Sequence, residues 1–120
     1  MKRELRFRAW DGKQMHYPKE HTYVVRFDGV VGQFHEKMKS YTSVDWEIMQ
    51  MIDWKDVAGK QIWEGDIIRY DLEPDASKGY PARYNLTRVV KVFATGAIGG
   101  WDTNIRVIGN IYETPTLIPQ

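Results

Sequence analysis

Gly59-Lys60-Gln61-Ile62-Trp63-Glu64-Gly65-Asp66-Ile67-Ile68-Arg69-Tyr70-Asp71 is the stretch on which the fold reading turns. Ile62 precedes the step Glu64-Gly65-Asp66, whose glycine and aspartate are turn formers, and Ile67, Ile68 and Tyr70 favour a pleated strand. A turn therefore hands over to a strand, which runs into another loop at Asp71. No grouping within the stretch does chemistry by itself, so it speaks for architecture.

Downstream, residues 71 to 82 hold two prolines, one glycine and several charges, and read as a surface loop long enough to be mobile or functional. Arg88 to Phe93 is the next strand, with Val90 and Val92 on one face and Val89 and Phe93 on the other. Gly96, Gly99 and Gly100 punctuate the approach to a last strand from Ile105 to Tyr112, before Pro115 and Pro119. Because closure removes exposed strand edges, a small barrel or curled antiparallel sheet over residues 60 to 113 is the economical solution.

Upstream, Asp53 to Ala58 connects back to a segment where Val44, Ile48, Met51 and Ile52 recur at helical spacing behind Thr42, and the spacing predicts a short helix over 44–52. Before it come two hairpins. Residues 3 to 10 alternate, with Leu5, Phe7 and Ala9 on one face and Glu4, Arg6, Arg8 and Trp10 on the other. Asp11-Gly12 turns this strand back through Gln14 to Tyr17, and Asp28-Gly29 joins Thr22–Phe27 to Val30–Phe34. The expectation is a mainly β (α+β) chain: N-terminal antiparallel hairpins and one short helix over residues 1–58, then a small barrel over 59–120, the two lobes forming one folding unit.

A chain of 120 residues buries one core but not two independent ones. The absence of cysteine removes disulfides, thiolate metal sites and thiol catalysis. No apolar run approaches a membrane span, and no secretory leader is expected, so the reading is a cytoplasmic protein without membrane association. Asn85-Leu86-Thr87 matches a glycosylation sequon, which in that setting is a chance match. The net charge of +1 hides three blocks: nine Lys/Arg against five acids in residues 1–40, three against nine in 41–75, and five against two in 76–120. Such blocks steer partners or attract one another.

His16, His21 and His35 match no metal-ligand spacing. The acids Asp45, Glu47, Asp53, Asp56, Glu64, Asp66 and Asp71 supply raw material for general acid and base catalysis, although a turn acid such as Asp66 more often bonds backbone N–H groups. There is no phosphate loop, dinucleotide fingerprint or nucleophile elbow, and no cofactor is expected. Arg3, Arg6, Arg8 and Trp10 on the first strand combine charge with an aromatic ring, as single-strand nucleic-acid surfaces do.

Four blocks carry a family resemblance: Arg3-Glu4-Leu5-Arg6-Phe7-Arg8-Ala9-Trp10-Asp11; Met49-Gln50 to Lys55-Asp56; Gly59-Lys60 with Ile62-Trp63-Glu64-Gly65-Asp66-Ile67; and Val107-Ile108-Gly109-Asn110-Ile111-Tyr112-Glu113. In this order, over nearly the whole chain, they resemble the YopX family of phage and prophage proteins. The chain departs from the family's common Thr-Gly-Leu and Asn-Gly with Ile52-Asp53-Trp54 and Ala58-Gly59. The resemblance implies a small host-cytoplasmic protein of a phage or integrated element, with an SH3-like barrel in its second half, possible homo-oligomers and no assigned activity. The shared blocks are fold determinants and transfer no active site.

Three functional readings follow. The first is a non-enzymatic, homo-oligomeric module that binds an unidentified protein partner. The second is a nucleic-acid-binding accessory protein using Arg3, Arg6, Arg8, Trp10, Arg88 and Lys91, against which the near-neutral charge counts. The third is a carboxylate or metal-dependent hydrolase on Glu64, Asp66 and Asp71, which requires these acids to converge in a pocket.

Overall fold

A computed structural model describes residues 6–17, 23–25, 31–35, 40–91, 98–99 and 102–119. They are almost entirely β, with one turn of 3-10 helix at Pro115–Leu117. The chain divides into two compact units, Met1–Met51 and Ile52–Gln120.

In the first unit, β1 (Phe7–Trp10) pairs antiparallel with β2 (Met15–His16), with Ala9 opposite His16 and Trp10 opposite Met15. The Asp-Gly signal is a turn, as expected, but it sits in a four-residue loop. Asp11 Oδ1 accepts the Lys13 and Gln14 N–H groups at 2.7 and 2.8 Å, and Gly12 takes φ +102°, where a side chain would be strained. A second sheet places β4 (Val31–His35) between β3 (Tyr23–Val25) and β5 (Ser40–Val44), with Val24 opposite Gly32 and Gly32 opposite Ser43. The expected hairpin is therefore present, while its Asp28-Gly29 turn lies outside the described residues.

The helix expected over 44–52 is a strand. β6 (Glu47–Lys55) pairs antiparallel with β1, setting Trp10 opposite Glu47, Ala9 opposite Ile48, Arg8 opposite Met49 and Phe7 opposite Gln50, and Met51 N–H donates to Arg6 C=O at 2.8 Å. Ile48 and Ile52 satisfy a period of two as well as they satisfy helical spacing, and β-branched side chains favour the extended chain. Pairing with a strand some forty residues away decided between two local readings of similar quality. The alternation assigned to β1 also needs correcting at one position. Ala9 is fully buried, as expected, but so is Arg8, which keeps only 2% of its surface.

In the second unit, β7 (Gln61–Trp63) neighbours β6 and is tied to it by the Gln61 amide, which donates to the Ile52 and Trp54 carbonyls. β8 (Asp66–Leu72) is the middle strand of an antiparallel sheet between β10 (Asp102–Asn110) and β9 (Arg83–Val89). Ile62, Ile68, Val90 and Ile105 make the core, with Ile52, Tyr70, Ile98 and Val107 packed against it. Three bulges bend the sheet, two in β10 and one in β9, an arrangement compatible with a small SH3-like barrel.

The Gly65 turn organises this unit. Gly65 adopts φ +88°, and Asp66 Oδ2 accepts the Trp63 N–H at 2.8 Å. On one side Gly65 N–H donates to Val90 C=O at 2.9 Å and Val90 N–H returns to Asp66 C=O at 2.8 Å. On the other, Ile111 N–H donates to Gly65 C=O at 3.0 Å. One turn thus anchors the ends of β9 and β10. Asp56 does similar work from the neighbouring turn. Its carboxylate accepts N–H groups from Ala58 (2.9 Å) and Lys60 (2.8 Å), and from Val107 of β10 (3.0 Å).

Candidate functional site

A polar concavity of the second unit is built around Asp71 on the middle strand. Thr103 of β10 faces Asp71 and Arg106 faces Arg69, so β10 spends three steps where β8 spends two. On the other side Leu86 faces Tyr70 and Arg83 faces Leu72, so β9 likewise carries one extra residue. Asn104 and Asn85 lie in these two bulges, with φ +50° and +55°, a left-handed conformation that asparagine tolerates better than most residues. Asp71 ties both down: its Oδ1 accepts the Asn85 backbone N–H at 2.9 Å and its Oδ2 accepts the Asn104 side-chain amide at 3.3 Å.

The result is a cleft of about 320 Å³ lined by Arg69, Asp71, Asn85, Asn104 and Arg106. Arg69 and Arg106 are directly opposed across the ladder and therefore share a face, with Cβ atoms about 5 Å apart. Both are exposed, and neither has an ion-pair partner among the described residues.

A second concavity, about 440 Å³, lies at the β8–β9 end and is lined by Leu72, Glu73, Asp75, Lys78, Tyr80, Pro81 and Arg83. The loop above it is a closed turn rather than a free excursion. Asp75 and Tyr80 exchange backbone bonds of 2.9 and 3.0 Å, and Asp75 Oδ1 accepts both the Ser77 N–H and its hydroxyl.

The residues proposed for nucleic acid fare differently. Arg3 lies outside the described residues. Arg6 is exposed, Trp10 is half-buried and Arg8 is buried, so the displayed row expected on β1 is interrupted at Arg8. In the second unit Lys91 is exposed, whereas Arg88 is engaged. Its Nη1 and Nη2 donate to the Asp102 carboxylate at 3.2 and 2.6 Å, and its guanidinium lies 4.3 Å from the centre of the Tyr70 ring. Burial works against the charge, but the bonds to Asp102 and Tyr70 outweigh it and hold Arg88 above the usual arginine range.

Asp66 and Asp71 do not converge. Asp66 is buried in its turn and Asp71 stands five residues along the same strand, about 17 Å away. Asp56 is committed to three backbone N–H groups; burial alone would raise its pKa, yet those bonds lower it. No cluster of three or more His, Asp or Glu side chains suited to a metal ion occurs among the described residues. His16 bonds Asp11 at 2.8 Å and stacks on Trp46 with centroids 4.4 Å apart, a packed arrangement inside the first unit. Among the described residues no helix is long and apolar enough to cross a membrane.

Sequence reasoning passed over Arg69, Asn85, Asn104 and Arg106. The signal available was an asparagine inside each strand pattern, a residue depleted from strands and suited to a bulge.

Comparison with known families matches residues 6–119 to the family described as YopX protein. Among solved structures, the crystal structure of protein yopX from Bacillus subtilis matches with a TM-score of 0.55 and 20% identity, covering 95% of this chain and 98% of that one. At that identity the likeness shows the fold alone. No curated protein matches the chain.

Proposed function

The chain belongs to the YopX family, and from that premise we propose a non-enzymatic assembly module, encoded by a phage or integrated element and working in the host cytoplasm. It forms homo-oligomers through the β8–β9 end of its second unit, and in that form presents its surface to a protein partner. The observation that carries this reading is the pair Tyr80 and Tyr84, 64% and 69% exposed, beside the groove lined by Leu72 and Pro81.

Exposed tyrosines offer a large contact area with few rotamers to freeze, which is why they are favoured in interfaces. The Asp75–Tyr80 turn holds Tyr80 in place, reducing the ordering cost of association. β9 is the outer strand of its sheet, and an outer strand is a template for pairing with a second copy.

Light scattering at low and high salt, with co-purifying nucleic acid read from the absorbance ratio, tests the proposal. A salt-stable oligomer free of nucleic acid is expected, and Tyr80→Lys with Tyr84→Lys should return it to monomer. A monomer carrying nucleic acid that salt strips away would overturn the reading in favour of a nucleic-acid accessory protein.

A further inference from the structure

We infer that the cleft around Asp71 is a binding site for the phosphate group of a small phosphorylated ligand, held between Arg69 and Arg106. The cleft borders the β8–β9 end but is lined by different residues, so the inference does not rest on the assembly proposal.

The argument begins with a cost. Two arginines directly opposite each other in an antiparallel ladder repel, and like charges in that position destabilise a sheet. The carboxylate in the cleft forms no ion pair with either arginine; Asp71 bonds the bulges instead, its Oδ1 accepting from Asn85 N–H and its Oδ2 from the Asn104 amide. Two guanidinium charges against one carboxylate leave the cleft at +1, lined by N–H donors and concave enough, at about 320 Å³, to seat a phosphorylated small molecule.

Donor chemistry selects the ligand class. Each guanidinium carries five N–H donors in a planar fork, so one arginine already saturates a carboxylate face to face. Two forks converging on one space match a group with three or more acceptor oxygens and more than one negative charge, which describes a phosphate monoester. Asn85 also lines the cleft, its left-handed backbone held by the bond to Asp71.

The surroundings argue for a small ligand over a polymer. Beyond Asp71 the β8–β9 end carries Glu73 and Asp75 together with Lys78 and Arg83, so no net positive charge extends in that direction. A nucleic-acid backbone needs a basic track along several phosphates. The cleft supplies one isolated pair.

The test uses the whole chain labelled with ¹⁵N, titrated at constant ionic strength with inorganic phosphate, with adenosine monophosphate and with a single-stranded oligonucleotide. Saturable shifts confined to the amides of residues 69–71, 85 and 103–106 are expected with the first two probes. Tighter binding of the monophosphate assigns a phosphorylated metabolite as the source; equal binding assigns the free anion. Arg69→Gln and Arg106→Gln should each weaken binding at least about tenfold, the loss expected of a charge-assisted bond. Arg106→Lys should weaken it less. Both sites are exposed, so an unchanged spectrum elsewhere shows that the variants are folded. Shifts that fail to saturate, or an Arg106→Gln protein that binds phosphate as the parent does, would overturn the inference. So would an oligonucleotide that binds far more tightly than the monophosphate with a steep salt dependence.

Discussion

Gly109→Ala is the substitution whose consequence the structure specifies most closely. Gly109 sits on β10 opposite Ile67, beside a register shift. A Cβ at this position would fall on Thr114 Oγ1, 3.0 Å from Thr114 Cβ and 3.2 Å from Leu117 Cδ1. Thr114 is not free to move away. Its hydroxyl accepts the Asn110 N–H at 2.9 Å and donates to Asn110 C=O at 3.0 Å, while its own N–H donates to the same carbonyl at 3.0 Å. The added methyl must therefore displace the hydroxyl, losing two bonds worth about 1 kcal/mol each, or force the strand outward at an overpacking cost of about 1–3 kcal/mol. The expected loss is about 2–4 kcal/mol, measured as a lower urea midpoint at unchanged slope by tryptophan fluorescence. Thr114→Ala by itself should cost about 1–2 kcal/mol. The double variant should cost about 1 kcal/mol less than the sum, because the atom in the way is gone. Additivity within about 0.5 kcal/mol would refute the steric account.

Asp56→Ala removes the acceptor for Ala58, Lys60 and Val107 N–H groups and should cost about 2–3 kcal/mol in the same urea experiment, with Asp56→Asn losing less because one acceptor oxygen remains. Asp11 should titrate by carboxyl-carbon NMR with a midpoint of about 2 instead of 3.8, because its bond to His16, then the N–H groups of Gln14 and Lys13, favour the carboxylate. Its pKa is depressed on folding, so its contribution to the first hairpin is present above pH 3.8 and fades as pH falls through about 2; Asp11→Asn should abolish that acid-side change.

What could be read locally was read correctly where a few neighbouring residues settle the matter. Asp11-Gly12 and Gly65-Asp66 are turns because a glycine at positive φ and an aspartate that accepts nearby N–H groups need no distant help. Asp66 is a backbone-bonding turn acid for the same reason. The strands around Ile67 and Ile105, and the antiparallel character of both halves, followed from β-branched runs between turn signals. The YopX blocks coincide with such places: Gly59 and Gly65 at their turns, and Gly109-Asn110 where β10 meets the Thr114 turn.

By itself, then, the sequence determined a mainly β chain of the YopX family, the positions of its tight turns and the absence of thiol chemistry. Tertiary structure decided the rest. Residues 47–55 became a strand because β1 offered a ladder, which no pattern within nine residues reveals. Arg8 was drawn inside, although its neighbours made it look displayed. The loop after Leu72 closed on itself through Asp75 and Tyr80. Most clearly, Arg69 and Arg106 are far apart in the chain and meet only because β8 and β10 pair in one register, with a bulge at Asn104 supplying the odd residue. Side chains alternate along a strand, so a single residue gained or lost in the ladder reverses every face beyond it. Turn chemistry is written in adjacent residues, whereas the membership of a site is set by register between strands that only folding brings together.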